Sequence, residues 1–285
     1  GWSRCIIHRD LAALYNVQVV QQTPTLPALP IQYVDFAHWQ RQWLTGEVLE
    51  DQLRYWRTHL AGLATLDLPT DRPRPPVQTH SGASYTFQLS KHLTQDLQAL
   101  SRQSEVTLAT TLLAAFQALL GRYTGQTDIA VGTPIANRTR SELENLVGFF
   151  VNSLVMRTDL SGDPTFRELL GRVHSVALAA YENQDLPFER LVDELHVERD
   201  LSRESLFQVM FVLQNAPMPE MRLSELTFTP LEFETGTSKF DLLLQLEETT
   251  DGLRGWLPWV HAEDRDRLRL AIDHAVKQHG PLDEE

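Results

Sequence analysis

The segment VTLATTLLAAFQALLGRYTG, residues 106–125, places the strongest constraint on how this chain can fold. Its apolar side chains run almost all the way round a helix instead of forming one stripe. Such a helix must be covered on nearly every side, so it belongs deep in a core. Thr and Gln interrupt the run, and its apolar portion is too short for a membrane span. No other stretch of the chain is long and apolar enough to be one. A chain of 285 residues can supply the cover, because at this size folding buries about three quarters of the surface the unfolded chain exposes.

Strands and helices alternate around that segment. In SYTFQL the residues Tyr85, Phe87 and Leu89 alternate with polar ones, the period of a half-buried strand. DIAVGTPIA, FFVNSLVMRTDL, LTFTPLEF, KFDLLLQLEE and LRGWLPW read as further strands. LFQVMFVLQ, rich in Phe and Val, suits a strand covered on both faces. Asp163 with Pro164 behind it predicts the start of a helix bearing Phe166, Leu169, Leu170, Val173, Val176, Ala177 and Ala180 at helical spacing. An amphipathic helix is expected at Ile6–Tyr15, with Ile7, Leu11 and Leu14 on one face, and two more around YVDFAHWQRQWL and DQLRYWRTHLAG. A last helix is expected at about Glu263–Gln278. TPTLPALP and LPTDRPRPPVQTHSG are proline-rich connectors that cannot join a ladder and should run over the surface. Interleaved strands and helices of this kind make an α/β layered domain.

The net charge of −13 argues against nucleic acid as a partner, because phosphate binding needs a surface of Lys and Arg. Cys5 is the lone cysteine, so no internal disulfide can form, which fits a reducing, cytosolic compartment. Cys5 and His8 lie three apart on a helix, but a buried structural cysteine is the simpler reading. There is no phosphate loop, HExxH helix, CxxC pair or GxSxG elbow. None of the ten histidines has ligand spacing with an acid or cysteine, so no metal site is expected. Each reads as a surface or packing residue.

Recognition comes from segments in order. YVDFAHWQ, GFFVNSLVMR, NQDLPFERLV and RDLSRESLFQVMF, with GTPIANR and TGTSKFDLLLQLEE placed among them, resemble the successive core motifs of condensation domains from nonribosomal peptide synthetases. The resemblance runs from Gly1 to about Trp256. It implies a fold like one lobe of chloramphenicol acetyltransferase, a mixed β-sheet flanked by helices, with the active site in a tunnel between two lobes. In that family a helix like SRCIIHRDLAALY follows an HHxxxDG segment. Gly1 then matches the final Gly of the motif, and the histidines would precede it. On this expectation residues 1–28 are a remnant of the first lobe and a connector, and residues 29–285 are the second lobe.

The resemblance implies peptide-bond formation between donor and acceptor aminoacyl thioesters held by peptidyl carrier protein domains. The phosphopantetheine would be carried by those partners, with no cofactor bound directly. An adenylation domain or a first condensation lobe would be the other partners in the assembly. Because the catalytic histidine would lie outside it, the chain alone is expected to be inactive. A non-catalytic lobe that binds a carrier protein, a cyclisation or epimerisation relative, and a stand-alone acyltransferase are the alternatives.

Arg138 matches an arginine that in the family pairs with the motif aspartate and locks the active loop; an exposed loop arginine is the competing reading. Gly148, Phe149, Val151, Asn152 and Ser153 resemble the strand beside the tunnel. Asn152 either lines a polar cavity or caps a strand bond. Ser238 resembles a position near the acceptor side, against a turn hydroxyl that bonds its own backbone. Trp39 resembles the family's aromatic and reads as a packing anchor. Asn183 stands where the family usually has His, while Pro187 should still open a helix with Asp185 and Glu189 near its positive end. Asp200 and Arg203 read as loop-fixing ion pairs. Beyond Trp256 the match fades.

Overall fold

The computed structural model describes residues 1–23, 26–70, 73–196, 200–214, 223–224, 226 and 235–259. Three helices come first: α1 (Trp2–Val19), α2 (Tyr33–Trp43) and α3 (Gly46–His59). The layered part follows as β1 (Ala83–Ser90), α4 (Lys91–Gln103), α5 (Leu108–Thr124), β2 (Asp128–Ile135), β3 (Asn152–Asp159), α6 (Phe166–Glu182), α7 (Phe188–Glu194), β4 (Val209–Gln214), β5 (Leu242–Thr249) and β6 (Gly252–Trp259). The strands form one six-stranded mixed sheet in the order β1-β6-β5-β4-β2-β3. Neighbours run antiparallel except β4 with β5 and β2 with β4, which are parallel. The expected mixed sheet flanked by helices is what the chain builds. The expected strand LTFTPLEF lies almost wholly, and the expected helix at 263–278 wholly, outside the described residues.

The all-apolar segment becomes α5, with Leu112, Leu113, Ala114, Phe116 and Leu120 buried. Thr107 caps its start by accepting from the Thr110 amide, and Gly125 ends it at φ 71°, a backbone that an L side chain rarely adopts. Gln117, wholly buried in this helix, donates from Nε2 to Met156 O at 2.9 Å and to Ile129 O at 3.4 Å. One amide thus reaches across to both β2 and β3. In α3 the positions Leu49, Leu53 and Trp56 carry the i, i+4, i+7 stripe inward. The second proline-rich connector is tied down by Arg74, which binds the Asp241 carboxylate with both Nη atoms and donates to Ser202 O at 3.1 Å.

Three expectations need correction. Helix α6 starts at Phe166, not at Pro164. Thr165 accepts from the Glu168 amide while the Glu168 carboxylate takes the Thr165 N–H, a reciprocal cap that Asp163 does not match. On α1 the inward residue is Ile6, and Ile7, Leu11 and Leu14 are 48%, 54% and 37% exposed. Cys5 is only half-buried, with Sγ against Gly1 O at 3.7 Å.

At the end of α3, His59 stacks on Tyr55 with ring centres 5.3 Å apart, and its Nε2 is buried without a partner. Arg157 passes beside it, bonding the Asp128 carboxylate at 2.7 and 2.8 Å and donating to His59 O and Ala61 O at 2.8 Å. Burial, and next the Arg157 charge, hold the His59 pKa below its ordinary 6.5. The unfolded chain therefore takes up this proton more readily than the native one, and stability falls as pH drops through about 6.5. We expect the urea midpoint to decline between about pH 7.5 and about pH 5.5, and His59→Phe to flatten part of that decline. Equal slopes for both proteins would contradict it.

Candidate functional site

Gly1, Trp39, Arg138, Gly148, Asn152 and Ser153 gather at the end of the sheet where β2 leaves and β3 begins, whereas Ser238, Asp200 and Arg203 lie apart from them. The chain between them, residues 136–151, folds over a small apolar core of Phe36, Leu143, Leu146 and Phe150, backed by Ile31, Tyr33 and Trp39. Trp39 stacks on Trp43 at 5.2 Å with the Arg140 guanidinium 4.8 Å from its ring. It packs as an anchor, as its sequence position suggested.

Helix α1 docks on this segment by its first residues. Trp2 Nε1 donates to Glu144 O at 2.9 Å, and Arg9 Nη1 to Asn145 Oδ1 at 2.7 Å. The Ser3 hydroxyl donates to Gly148 O at 2.8 Å and accepts the Gly148 amide at 3.2 Å. Arg138 Nη2 donates to the same oxygen at 3.0 Å, while Nη1 donates to Leu143 O. The Arg138 guanidinium lies 4.2 Å from the Phe150 ring centre and 5.9 Å from that of Trp2. Arg138 is thus next to the start of α1 and is not an exposed loop arginine. It forms no ion pair among the described residues, and burial lowers its pKa from the usual arginine value. Gly1, exposed, opens the helix as its N-cap. Gly148 must lack a side chain, since a Cβ there would strike the Tyr33 ring, whose hydroxyl donates to Phe149 O at 2.9 Å.

Asn152 resolves in favour of a bonding role. Its Nδ2 donates to Gln184 O at 2.9 Å and Leu186 O at 2.8 Å, and its Oδ1 accepts from the amides of Ser153 at 2.9 Å and Phe188 at 3.0 Å. The buried side chain staples β3 to the loop 183–188 and caps α7. Gln52 Oε1 accepts the Leu186 amide at 3.0 Å, and Trp56 Nε1 donates to Asn183 O at 2.9 Å. Asn183 thus serves the loop through its backbone carbonyl, and its Nδ2 donates to Ala179 O at 2.9 Å at the end of α6. Helix α7 begins one residue later than expected, at Phe188 with Pro187 as N-cap and Glu189 in the first turn. Burial raises the Asp185 carboxyl above the ordinary range. Ser153 sits half-buried in β3 opposite Pro134.

Ser238 behaves as the turn hydroxyl. It is 6% exposed, and Oγ donates to Phe240 O at 2.6 Å. No hydrogen bond joins it to Arg138, Gly148 or Asn152 among the described residues. Asp200 makes no ion pair there; its carboxylate takes the Ser202 amide and hydroxyl at 2.8 and 2.7 Å, which hold its pKa down. Arg203 pairs with Asp67 at 3.7 Å. No three His, Cys, Asp or Glu side chains converge as metal ligands among the described residues.

Three contributors were not singled out from the sequence. Ser3 and Gln52 are polar residues at inward helix positions, and that break in an apolar register was the available signal. Thr133 sits at a seam: β2 meets β4 at one paired position, Gly132 with Met210, and the Thr133 hydroxyl donates to Phe211 O at 2.7 Å just beyond it.

A helix-backed mixed sheet whose β2 and β3 ends meet a docked N-terminal helix is a chloramphenicol-acetyltransferase-like fold. The chain belongs to the condensation domain family, whose model matches residues 1–255. It is 54% identical over 278 residues to a linear gramicidin synthase of Brevibacillus parabrevis, covering 96% of this chain and 6% of that protein. It is 44% identical over 263 residues to malpinin synthetase of Mortierella alpina, covering 92% of this chain and 3% of the relative. The chain thus spans only a few per cent of the length of these curated relatives. Among solved structures, the X-domain from teicoplanin biosynthesis is similar at TM-score 0.84 and 27% identity, over 97% of this chain and 65% of that one. The condensation domain of the monacolin K polyketide synthase shares the fold at TM-score 0.77 and 20% identity, over 95% of this chain and 65% of that one.

Replacing Asn152 by Ala leaves four backbone groups short of a partner. We expect a loss of about 2–4 kcal/mol in chemical denaturation. Asn152→Asp should cost at least as much, since its second oxygen would face two carbonyls. A midpoint unchanged in both would show that the staple contributes nothing.

Proposed function

We propose that this chain is the second lobe of a condensation domain in a nonribosomal peptide synthetase, where it helps join donor and acceptor aminoacyl thioesters. The acceptor α-amine attacks the donor thioester carbonyl, forms the amide and releases the donor carrier's thiol. In this reading a histidine from a first lobe orients or deprotonates the amine, help of a kind typically worth about a hundred- to ten-thousand-fold. Carrier proteins bring both substrates on phosphopantetheine arms, within a cytosolic assembly that includes an adenylation domain.

The observation that carries the reading is the placement of Arg138. Its half-buried guanidinium is fixed beside the start of α1 by Leu143 O and Ser3, with no carboxylate on it among the described residues. A half-buried guanidinium held only by neutral oxygens and ring faces keeps its attraction for a carboxylate, so the site has room in its bonding for an anion next to Gly1. In this reading an aspartate of the first lobe would supply that anion. Beside it, Val147, Phe149 and Val151 are 48%, 71% and 46% exposed, and α1 leaves Ile7, Leu11 and Leu14 uncovered. An apolar face of that kind suits an opposing lobe.

A second reading is supported by the likeness to the teicoplanin X-domain, which has been solved in complex with OxyB. There the lobe would serve to dock a protein partner and perform no chemistry.

With loaded carrier proteins, this chain alone should give no condensation product, and adding a separately made first lobe should restore it. Turnover by the chain alone would overturn the lobe assignment. Restored lobe binding without turnover would favour the docking reading. Sedimentation of the isolated chain should show self-association through the uncovered face, and a monodisperse monomer would count against that face being an interface.

A further inference from the structure

The geometry points to Ser3 as a positioning residue, a hydroxyl clip that fixes the Arg138 guanidinium relative to the start of α1. The inference rests on the proposed condensation reading for its consequence in turnover, though not for the clip itself.

A serine oxygen has one proton to give and two lone pairs to accept with. Here all three are in use. The proton goes to Gly148 O at 2.8 Å, and the lone pairs take the Gly148 amide at 3.2 Å and Arg138 Nη2 at 3.0 Å. Ser3 therefore closes a two-bond ring with one glycine while holding one arm of the guanidinium. The other arm is held by Leu143 O, and Phe150 underlies the plane. Two anchored arms and a ring face leave the guanidinium one orientation. Without the hydroxyl, one arm swings free and the cation can tilt toward Trp2, whose ring centre is 5.9 Å away.

The neighbouring residues make the position demanding. Gly148 is pressed against the Tyr33 ring and cannot carry a side chain, so the backbone there can be bonded only from outside. Ser3 is the side chain that does so. The other contacts of α1 with this segment, from Trp2 and Arg9, fall on Glu144 and Asn145 and would hold the helix in place if Ser3 were truncated. Truncation should accordingly loosen Arg138 and Gly148 without undocking α1. Ser3 touches no reacting atom in this scheme; it acts through Arg138 on whatever segment the guanidinium binds beside Gly1.

The test compares Ser3→Ala and Ser3→Thr in the whole chain. In Ser3→Ala the Gly148 amide should exchange with deuterium at least about tenfold faster, the loss of about one hydrogen bond. The Arg138 Nη nitrogen signals should average through free rotation, while α1 amides keep their protection. Ser3→Thr, which keeps the hydroxyl, should restore both signatures. In enzyme reconstituted with a first lobe, Ser3→Ala should lower kcat by about tenfold with KM nearly unchanged. Unchanged Gly148 exchange and Arg138 rotation would overturn the clip. So would protection lost evenly over α1 and residues 143–151, since that marks a docking residue only. Local loosening with full kcat would overturn the positioning role. If the wild-type reconstituted pair makes no product, the condensation reading fails, and the exchange and rotation measurements still decide the clip.

Discussion

Burial of α5 on nearly every side is the constraint from which the rest of the fold follows. Each large apolar side chain taken out of water contributes roughly 1.5–3 kcal/mol, so a helix with Leu112, Leu113, Phe116 and Leu120 all inside must have a sheet beneath it and helices beside it. The sheet supplies Ile129, Val131, Leu154 and Met156, and α6 supplies Leu169, Leu170 and Val173. The one wholly buried amide in α5, on Gln117, then becomes a gauge of alignment. Its Nε2 finds carbonyls on both β2 and β3, although its Oε1 is buried without a partner, and a shift of either strand would strand the donor as well.

That alignment decides where the strand ends fall, and the candidate site is built on those ends. β2 runs out toward Arg138, and β3 enters at Asn152. Each is fastened by a short polar device: Ser3 and Leu143 O on the guanidinium, and the four bonds of the Asn152 amide on the loop 183–188. Apolar packing provides the bulk energy in both places, through Phe36, Leu146 and Phe150 on one side and Trp56 and Leu186 on the other. The polar groups choose among the ways such surfaces could slide. The Arg138 guanidinium, without a carboxylate among the described residues, is the exception to this pattern, and in the proposed reading it faces the first lobe.

Much of this was legible beforehand because period and composition carry it. The alternation in SYTFQL, the Phe- and Val-rich run in LFQVMFVLQ and the round apolar face of α5 each favour one local geometry. Helix starts were less legible. Asp163 and Thr165 are both good caps, and the choice between them depends on whether Glu168 can reach back, which is a matter of geometry. The inward face of α1 was misjudged for a similar reason. Ile6 and Ile7 are equally apolar, and only the docking of Trp2, Ser3 and Arg9 onto residues 144–148 turns one in and leaves the other out.

The amino-acid order by itself determined the classes of element, the layered α/β architecture and, through motifs in succession, the family. Those properties rest on local periodicity and on short-range residue spacing, which any reading of the chain retains. The tertiary structure alone decided what the polar residues do: that Asn152 staples a loop, that Ser238 turns back on Phe240 O, and that Arg138 stands against Ser3, 135 positions away in sequence. A hydroxyl or amide carries no mark of its partner in the sequence, because a hydrogen bond is made at about 3 Å and in one direction, and only the folded chain brings those atoms that close.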